Sequence, residues 1–272
     1  AIMFGSTSGA NLGLGPALTS TPNATPTLSG AQLDATSGAV ARVTRQAQAT
    51  LDAFATETEQ ANQEATATAE LQAAAEAMIA AQASWPTVIT ETFADNGLGW
   101  PLGINQDEYI AVDTEIADGA YRWTVTPVSG GSYWNMIPEA SESFSDFYAS
   151  VEVTHLRGGE EGVYAYGLVF RHNDDDYGFF GIQDDGLYRI LMVDQSSLYV
   201  VIVEESSAIR PGQTNRLTVR AIGSDFIYLI NDQVVSYLNW DLVPGAIGLG
   251  VDVGREGSEA LVEFTNFEVH AP

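Results

Sequence analysis

From Val88 onward apolar and polar residues alternate with a period of two, in short runs separated by Gly, Asp and Asn. A two-residue period is the mark of a half-buried strand. The pattern predicts strands over 88–93, 120–127, 132–137, 147–156, 163–171, 177–182, 187–193, 198–204, 214–221, 225–230, 233–238, 246–252 and 259–270. Closely spaced short strands with no helical run between them imply an all-β fold, a two-sheet antiparallel jelly-roll sandwich spanning 87–272. Gly186, Asn231-Asp232 and Gly245 mark tight turns. Along 163–171 the alternation puts Tyr164, Tyr166, Leu168 and Phe170 on one face, and Val163, Ala165, Gly167, Val169 and Arg171 on the other.

Upstream the pattern changes. Residues 38–85 contain neither Pro nor Gly after Gly38, and Ala, Gln and Glu dominate, which predicts a long N-terminal α-helix. Thr36 or Ser37 can cap its start, and Pro86 ends it near Trp85. Such a helix would be about 70 Å long. Val40, Val43, Leu51, Phe54, Leu71 and Met78 recur at three- and four-residue steps, with alanines between them. This thin stripe reads either as a flexible stalk or as an assembly seam against copies of the same chain. Residues 1–37 are Gly-, Ser-, Thr- and Pro-rich, and 1–33 carry no charge, so an extended tail is expected. Asn23-Ala24-Thr25 is a glycosylation sequon. The opening Ala-Ile-Met-Phe lacks an initiator Met, and a processed signal or a membrane segment is expected upstream.

Composition narrows the classes. The 36 acidic residues outnumber ten basic ones, all arginine, for a net charge of −26. Nucleic acid and anionic lipid both need Lys or Arg to displace counterions, so neither is an expected partner. The acidity reads as solubility outside the cell, with a calcium-collecting surface as the alternative. The absence of cysteine excludes disulfides, thiolate metal sites and a cysteine nucleophile. No run of 18 apolar residues offers a membrane span.

Several motifs then fall into a recognisable series. Phe93-Ala-Asp-Asn-Gly-Leu-Gly-Trp100 resembles the opening of concanavalin A-like lectin/glucanase domains, in particular laminin-G-like and keto-disaccharide-hydrolase-like modules. Tyr164 to Arg171 followed by Asp176-Tyr-Gly-Phe-Phe180 resembles their central strand pair. The hairpin from Asn215 to Asn231, then Gly245-Ala-Ile-Gly-Leu249 and Val262 to Val269, complete the series over about 87–271. The resemblance implies the sandwich fold. It does not imply an activity, because the fold hosts hydrolases, lectins and structural modules alike.

Laminarinase-type hydrolases of this fold carry Glu-x-Asp-x-x-Glu on one strand, and retaining hydrolysis needs two carboxylates close together. No segment here has that pattern: the segment reads Val151-Glu-Val-Thr-His-Leu156. Glu204 and Glu205 are adjacent and would face opposite sides of a strand. No catalytic residue is assigned, and His155, His172 and His270 stand singly. Asp174, Asp175 and Asp176 offer hard oxygen ligands for Ca²⁺, the one ion the sequence suggests, although an acidic hairpin turn is the plainer reading. Tyr133, Trp134, Asn135, Arg171, Tyr177, Tyr188 and Trp240 could line one sheet face, where rings stack on sugars and polar groups bond hydroxyls. The sequence therefore suggests a non-enzymatic extracellular surface-assembly protein, a filament, sheath or coat subunit displaying a lectin-like head. Its partners would be copies of itself and glycans. A carbohydrate-binding or adhesive ectodomain of a membrane-anchored protein is the alternative, and a glycoside-processing enzyme the third.

Overall fold

A computed structural model describes residues 85–272 apart from 130–131, 160–163, 175, 195–196 and 254–258, together with scattered residues between 42 and 80. Those scattered residues have helical backbone. The expected tail, the sequon, the continuous 38–85 helix and Val40, Val43, Leu51, Leu71 and Met78 lie outside the described residues. Phe54 is described and is 60% exposed. Its carbonyl accepts a 2.7 Å hydrogen bond from the Thr58 hydroxyl one turn on.

Fifteen strands follow in chain order. The first five are β1 (Thr87–Glu91), β2 (Gly103–Gln106), β3 (Ile110–Ala117), β4 (Ala120–Pro127) and β5 (Ser132–Met136). Next come β6 (Phe147–Gly158), β7 (Tyr164–Asn173), β8 (Asp176–Ile182), β9 (Leu187–Asp194) and β10 (Ser197–Glu205). The last are β11 (Asn215–Ile222), β12 (Asp225–Ile230), β13 (Gln233–Asn239), β14 (Ala246–Val253) and β15 (Ala260–His270). They form two antiparallel sheets. One runs β13-β12-β11-β6-β15-β4-β3-β2, with β1 also paired to β15; the other runs β10-β9-β8-β7-β14-β5. This is the predicted all-β sandwich, enlarged by β2 and β3, which the period-two reading did not anticipate.

The core lies between the sheets and follows the alternation. Tyr164, Tyr166, Leu168 and Phe170 of β7 meet Val151, Val153, Leu217 and Val219 from the facing sheet. Burying each such side chain contributes about 1.5–3 kcal/mol. Trp100, Tyr121, Trp123 and Phe267 pack edge-to-face or tilted at centroid distances of 5.3 to 5.6 Å near the other end of the large sheet. Turn chemistry fits the register: Asn231 and Asp232 both adopt positive φ, at 50° and 65°, between β12 and β13. A short Asx pair tolerates that geometry, which bulkier side chains resist.

One alternation breaks. Arg171 has a φ of 48°, and the β7–β8 register shifts between Phe170 and Asn173. The bulge turns Arg171 away from the Ala165/Val169 face and toward the core. Its guanidinium lies 4.9 Å above the Phe226 ring and donates to the carbonyls of Leu242, Ser145 and Gly223. Only 3% of the residue is exposed. The sequence-based assignment of Arg171 to an open sugar-binding face is therefore corrected: the residue is buried, and its two terminal nitrogens bond carbonyls inside the protein.

Candidate functional site

In most sandwiches the outer face of an antiparallel sheet is solvated. The middle of the six-stranded sheet departs from this. Every β7 residue from Tyr164 to Arg171 is buried, whichever side it faces. Ala165, Val169, Phe179 and Leu191 make a second apolar cluster, with Tyr133, Ile137 and Tyr177 packed against it. It lies on the face turned away from the main core.

Register explains the shape of this face. Arg189 on β9 sits opposite Gly181 on β8, Gly181 opposite Gly167 on β7, Gly167 opposite Gly250 on β14, and Gly250 opposite Asn135 on β5. Three glycines in consecutive strands make a trough between an arginine at one end and an asparagine at the other, and the Phe179 ring leans over Gly181 while Val169 and the Tyr133 hydroxyl lean over Gly250. The Arg189 side chain crosses the trough and bonds Asp252 on β14 at 2.7 Å. Both side chains are largely covered, at 21% and 14% exposed. Burial pushes the Asp252 carboxyl above its ordinary pKa, and the arginine partly offsets the rise.

Rings wall the trough. Tyr133 stacks on Tyr177 at 5.1 Å, meets Phe179 edge-on at 5.2 Å, and Tyr177 stacks in turn on His172 at 5.6 Å. Gly250 makes room for this pile: a Cβ there would come within 2.7 Å of the Tyr133 hydroxyl. That hydroxyl and Arg189 Nε are buried without a hydrogen-bond partner. Burial raises the Tyr133 pKa well above the phenol range and pushes Tyr177 up to about 12, while it lowers that of His172. Both phenols stay protonated at neutral pH and can donate.

The residues expected to share a face thus divide. Tyr133, Asn135 and Tyr177 come together on the trough face. Trp134 packs instead against the main core. Tyr188 is 2% exposed and directs its hydroxyl to the Glu204 carboxylate and the Val235 carbonyl, each at 3.0 Å. Trp240 packs on Tyr199 at 5.7 Å and on the main core. Asp174 and Asp176 lie at the β7–β8 hairpin, and Asp175 lies outside the described residues. Among the described residues no group of three or more His, Asp or Glu side chains gathers as a metal site. Nor, among those residues, is any helix long and apolar enough to cross a membrane.

Arg189, Asp252 and His172 were missed by sequence reasoning. Two of the signals were present. Along β14, Ile247, Leu249, Val251 and Val253 alternate with Ala246, Gly248, Gly250 and Asp252, which puts Asp252 on the glycine side. Arg189 likewise alternates with the buried Tyr188 and Ile190. The pairing of glycines across strands depends on strand order, which one sequence does not display.

No protein-family model matches the chain, and no curated protein does. Solved structures do. A β-glucanase from Bacillus licheniformis aligns with a TM-score of 0.51 at 8% identity, over 70% of this chain and 99% of that one. A GlcNAcα1-4Gal releasing endo-β-galactosidase from Clostridium perfringens gives 0.51 at 8%, over 69% of this chain and 63% of that one. The carbohydrate binding module CBM66 from Bacillus subtilis gives 0.48 at 17%, over 64% and 96%. At these identities the likeness speaks to fold: the domain is a concanavalin A-like sandwich.

Proposed function

We propose that the sandwich is a non-enzymatic carbohydrate-binding domain acting outside the cell or at its surface, and that the glycine trough of the six-stranded sheet is its glycan site. The observation that carries this reading is the trough itself, where Arg189, Asp252 and Asn135 offer hydroxyl partners beside the Tyr133–Tyr177 pair. A sugar ring offers an apolar face to stack and hydroxyls to bond, and such a site matches both. Binding is favoured over hydrolysis because Asp252 is the sole carboxylate on this face of β5, β7, β8, β9 and β14 among the described residues, and Arg189 holds it. Double-displacement or inverting hydrolysis needs a second acid.

Equilibrium dialysis of the full-length protein against labelled oligosaccharides, with chromatography of the recovered sugar, tests this reading. Retention of intact oligosaccharide is expected. Release of shorter products would assign the domain to the hydrolases instead.

A further inference from the structure

The opposite sheet carries a different cleft. It encloses about 510 Å³, within the usual small-molecule range of ~300–1,000 Å³, and Glu152, Arg210, Thr214, Arg216, Asn231 and Asp232 line it. Every one of these residues is polar. Glu152 comes from β6 and Arg216 from β11, which pair directly; Arg210 and Thr214 precede β11, and Asn231-Asp232 form the β12–β13 turn.

Charge makes the cleft unusual. Acids outnumber arginines more than three to one in this chain, and other arginines find carboxylates readily: Arg122 bonds Glu263 at 2.9 Å and Asp118 at 3.2 Å. Arg210 makes no side-chain hydrogen bond or ion pair among the described residues. Arg216 is 3.9 Å from Asp232, whose side chain is 72% exposed, and otherwise touches the hydroxyls of Ser150 and Tyr148 at 3.2 and 3.4 Å. Two guanidinium groups thus share one cleft, and among the described residues the one carboxylate paired with either is the largely exposed Asp232. Glu152 accepts from Asn266 at 2.7 Å and from Thr265 at 3.4 Å through the same oxygen, Oε2.

The framework is rigid. Asn215, 2% exposed, accepts from the Arg210 amide and donates to the Arg210 and Gln213 carbonyls, at 2.8 to 3.0 Å. Arg210 is thereby fixed at the backbone while its guanidinium stays available.

We propose that this cleft is a second ligand site, which takes the carboxylate of an acidic saccharide on Arg210 and Arg216 and its hydroxyls on Glu152 and Asp232. Guanidinium forks match carboxylates bidentately, and the two acids accept hydroxyl protons. The proposal is independent of the trough on the other sheet.

Calorimetric titration of the full-length protein with trigalacturonate, with its carboxyl-reduced neutral counterpart, and with acetate tests it. Saturable binding of trigalacturonate is expected, at least about tenfold weaker for the neutral trimer and for Arg210→Gln. Acetate is expected to bind far more weakly, since it lacks the hydroxyls. Tyr177→Ala is expected to leave this binding unchanged. Three results would overturn the proposal: no saturable binding, equal affinity for the neutral trimer, or affinity lost in Tyr177→Ala and kept in Arg210→Gln. Acetate matching trigalacturonate would also overturn it, leaving a plain anion site. Arg210 is exposed and bonded only through its backbone, and thermal melting of the variant confirms that the fold survives.

Discussion

The side-chain carbonyl of Asn215 accepts a hydrogen bond from the side-chain amide of Asn231 at 2.8 Å. The two residues bracket the β11–β12 hairpin, whose ends both appear in the sequence motif that suggested the fold. Asn231 also donates to the Ala208 carbonyl and accepts from the Arg216 amide. One amide therefore ties a loop, a strand and a turn together.

Replacing Asn215 with Ala strips partners from the Arg210 and Gln213 backbone and from Asn231. The expected loss is about 2–4 kcal/mol, read from the urea midpoint. At position 231 two substitutions separate side chain from backbone. Asn231→Gly keeps the positive φ of 50° accessible, whereas Asn231→Ala adds left-handed strain. The Ala variant should be less stable than the Gly variant by about 1 kcal/mol.

Arg171→Met removes the donor that the Leu242, Ser145 and Gly223 carbonyls share, the first of them buried. Its expected cost is about 3–5 kcal/mol in chemical unfolding. Affinity of the folded fraction for glycan should not change, because Arg171 is not on the trough face.

Alkaline pH should unfold the domain through its tyrosines. Burial raises Tyr121, Tyr133, Tyr166, Tyr177, Tyr188 and Tyr228 above the ordinary phenol value, and a hydrogen bond to Asp225 raises Tyr237. The unfolded chain then releases these protons first, so stability is full below pH ~10 and falls as pH rises above it. Spectrophotometric titration at 295 nm should show only part of the eleven tyrosines ionising before a cooperative, unfolding-linked step. Smooth titration of all of them near pH 10 would contradict the burial.

These sites differ in how far the sequence displayed them. Period-two alternation separated the two faces of β7, because each core residue there is apolar. It missed β3, where Thr114 stands in the core row, 3% exposed, with its hydroxyl donating to the Pro101 carbonyl. The turn Asp118-Gly119, with φ of 54° and 77°, would have revealed the β3–β4 hairpin. β2 had no apolar signal to read, since Ile104 is 71% exposed. Arg171 was misplaced because a bulge reverses its face, and a bulge leaves no trace in the alternation. Tyr133 and Tyr177 were identified as candidates, but the trough they wall arises from strand order.

Gly250→Ala tests how the ring pile is built. The added methyl meets both the Tyr133 hydroxyl and Val169 Cγ2 at 2.7 Å. Overpacking of this kind costs about 1–3 kcal/mol, and displacing Tyr133 should weaken glycan binding by more than the stability loss alone predicts. Titration of the folded variant with a bound oligosaccharide reads that difference.

The most direct measurement is a comparison of full-length wild type and Tyr177→Ala on an array of defined neutral and acidic glycans, with melting curves of both. The account predicts that wild type binds a discrete subset and leaves it uncleaved, while Tyr177→Ala loses about tenfold or more on neutral members of that subset with its fold intact. Equal binding by the two proteins, or no binding by wild type to any glycan, would contradict it.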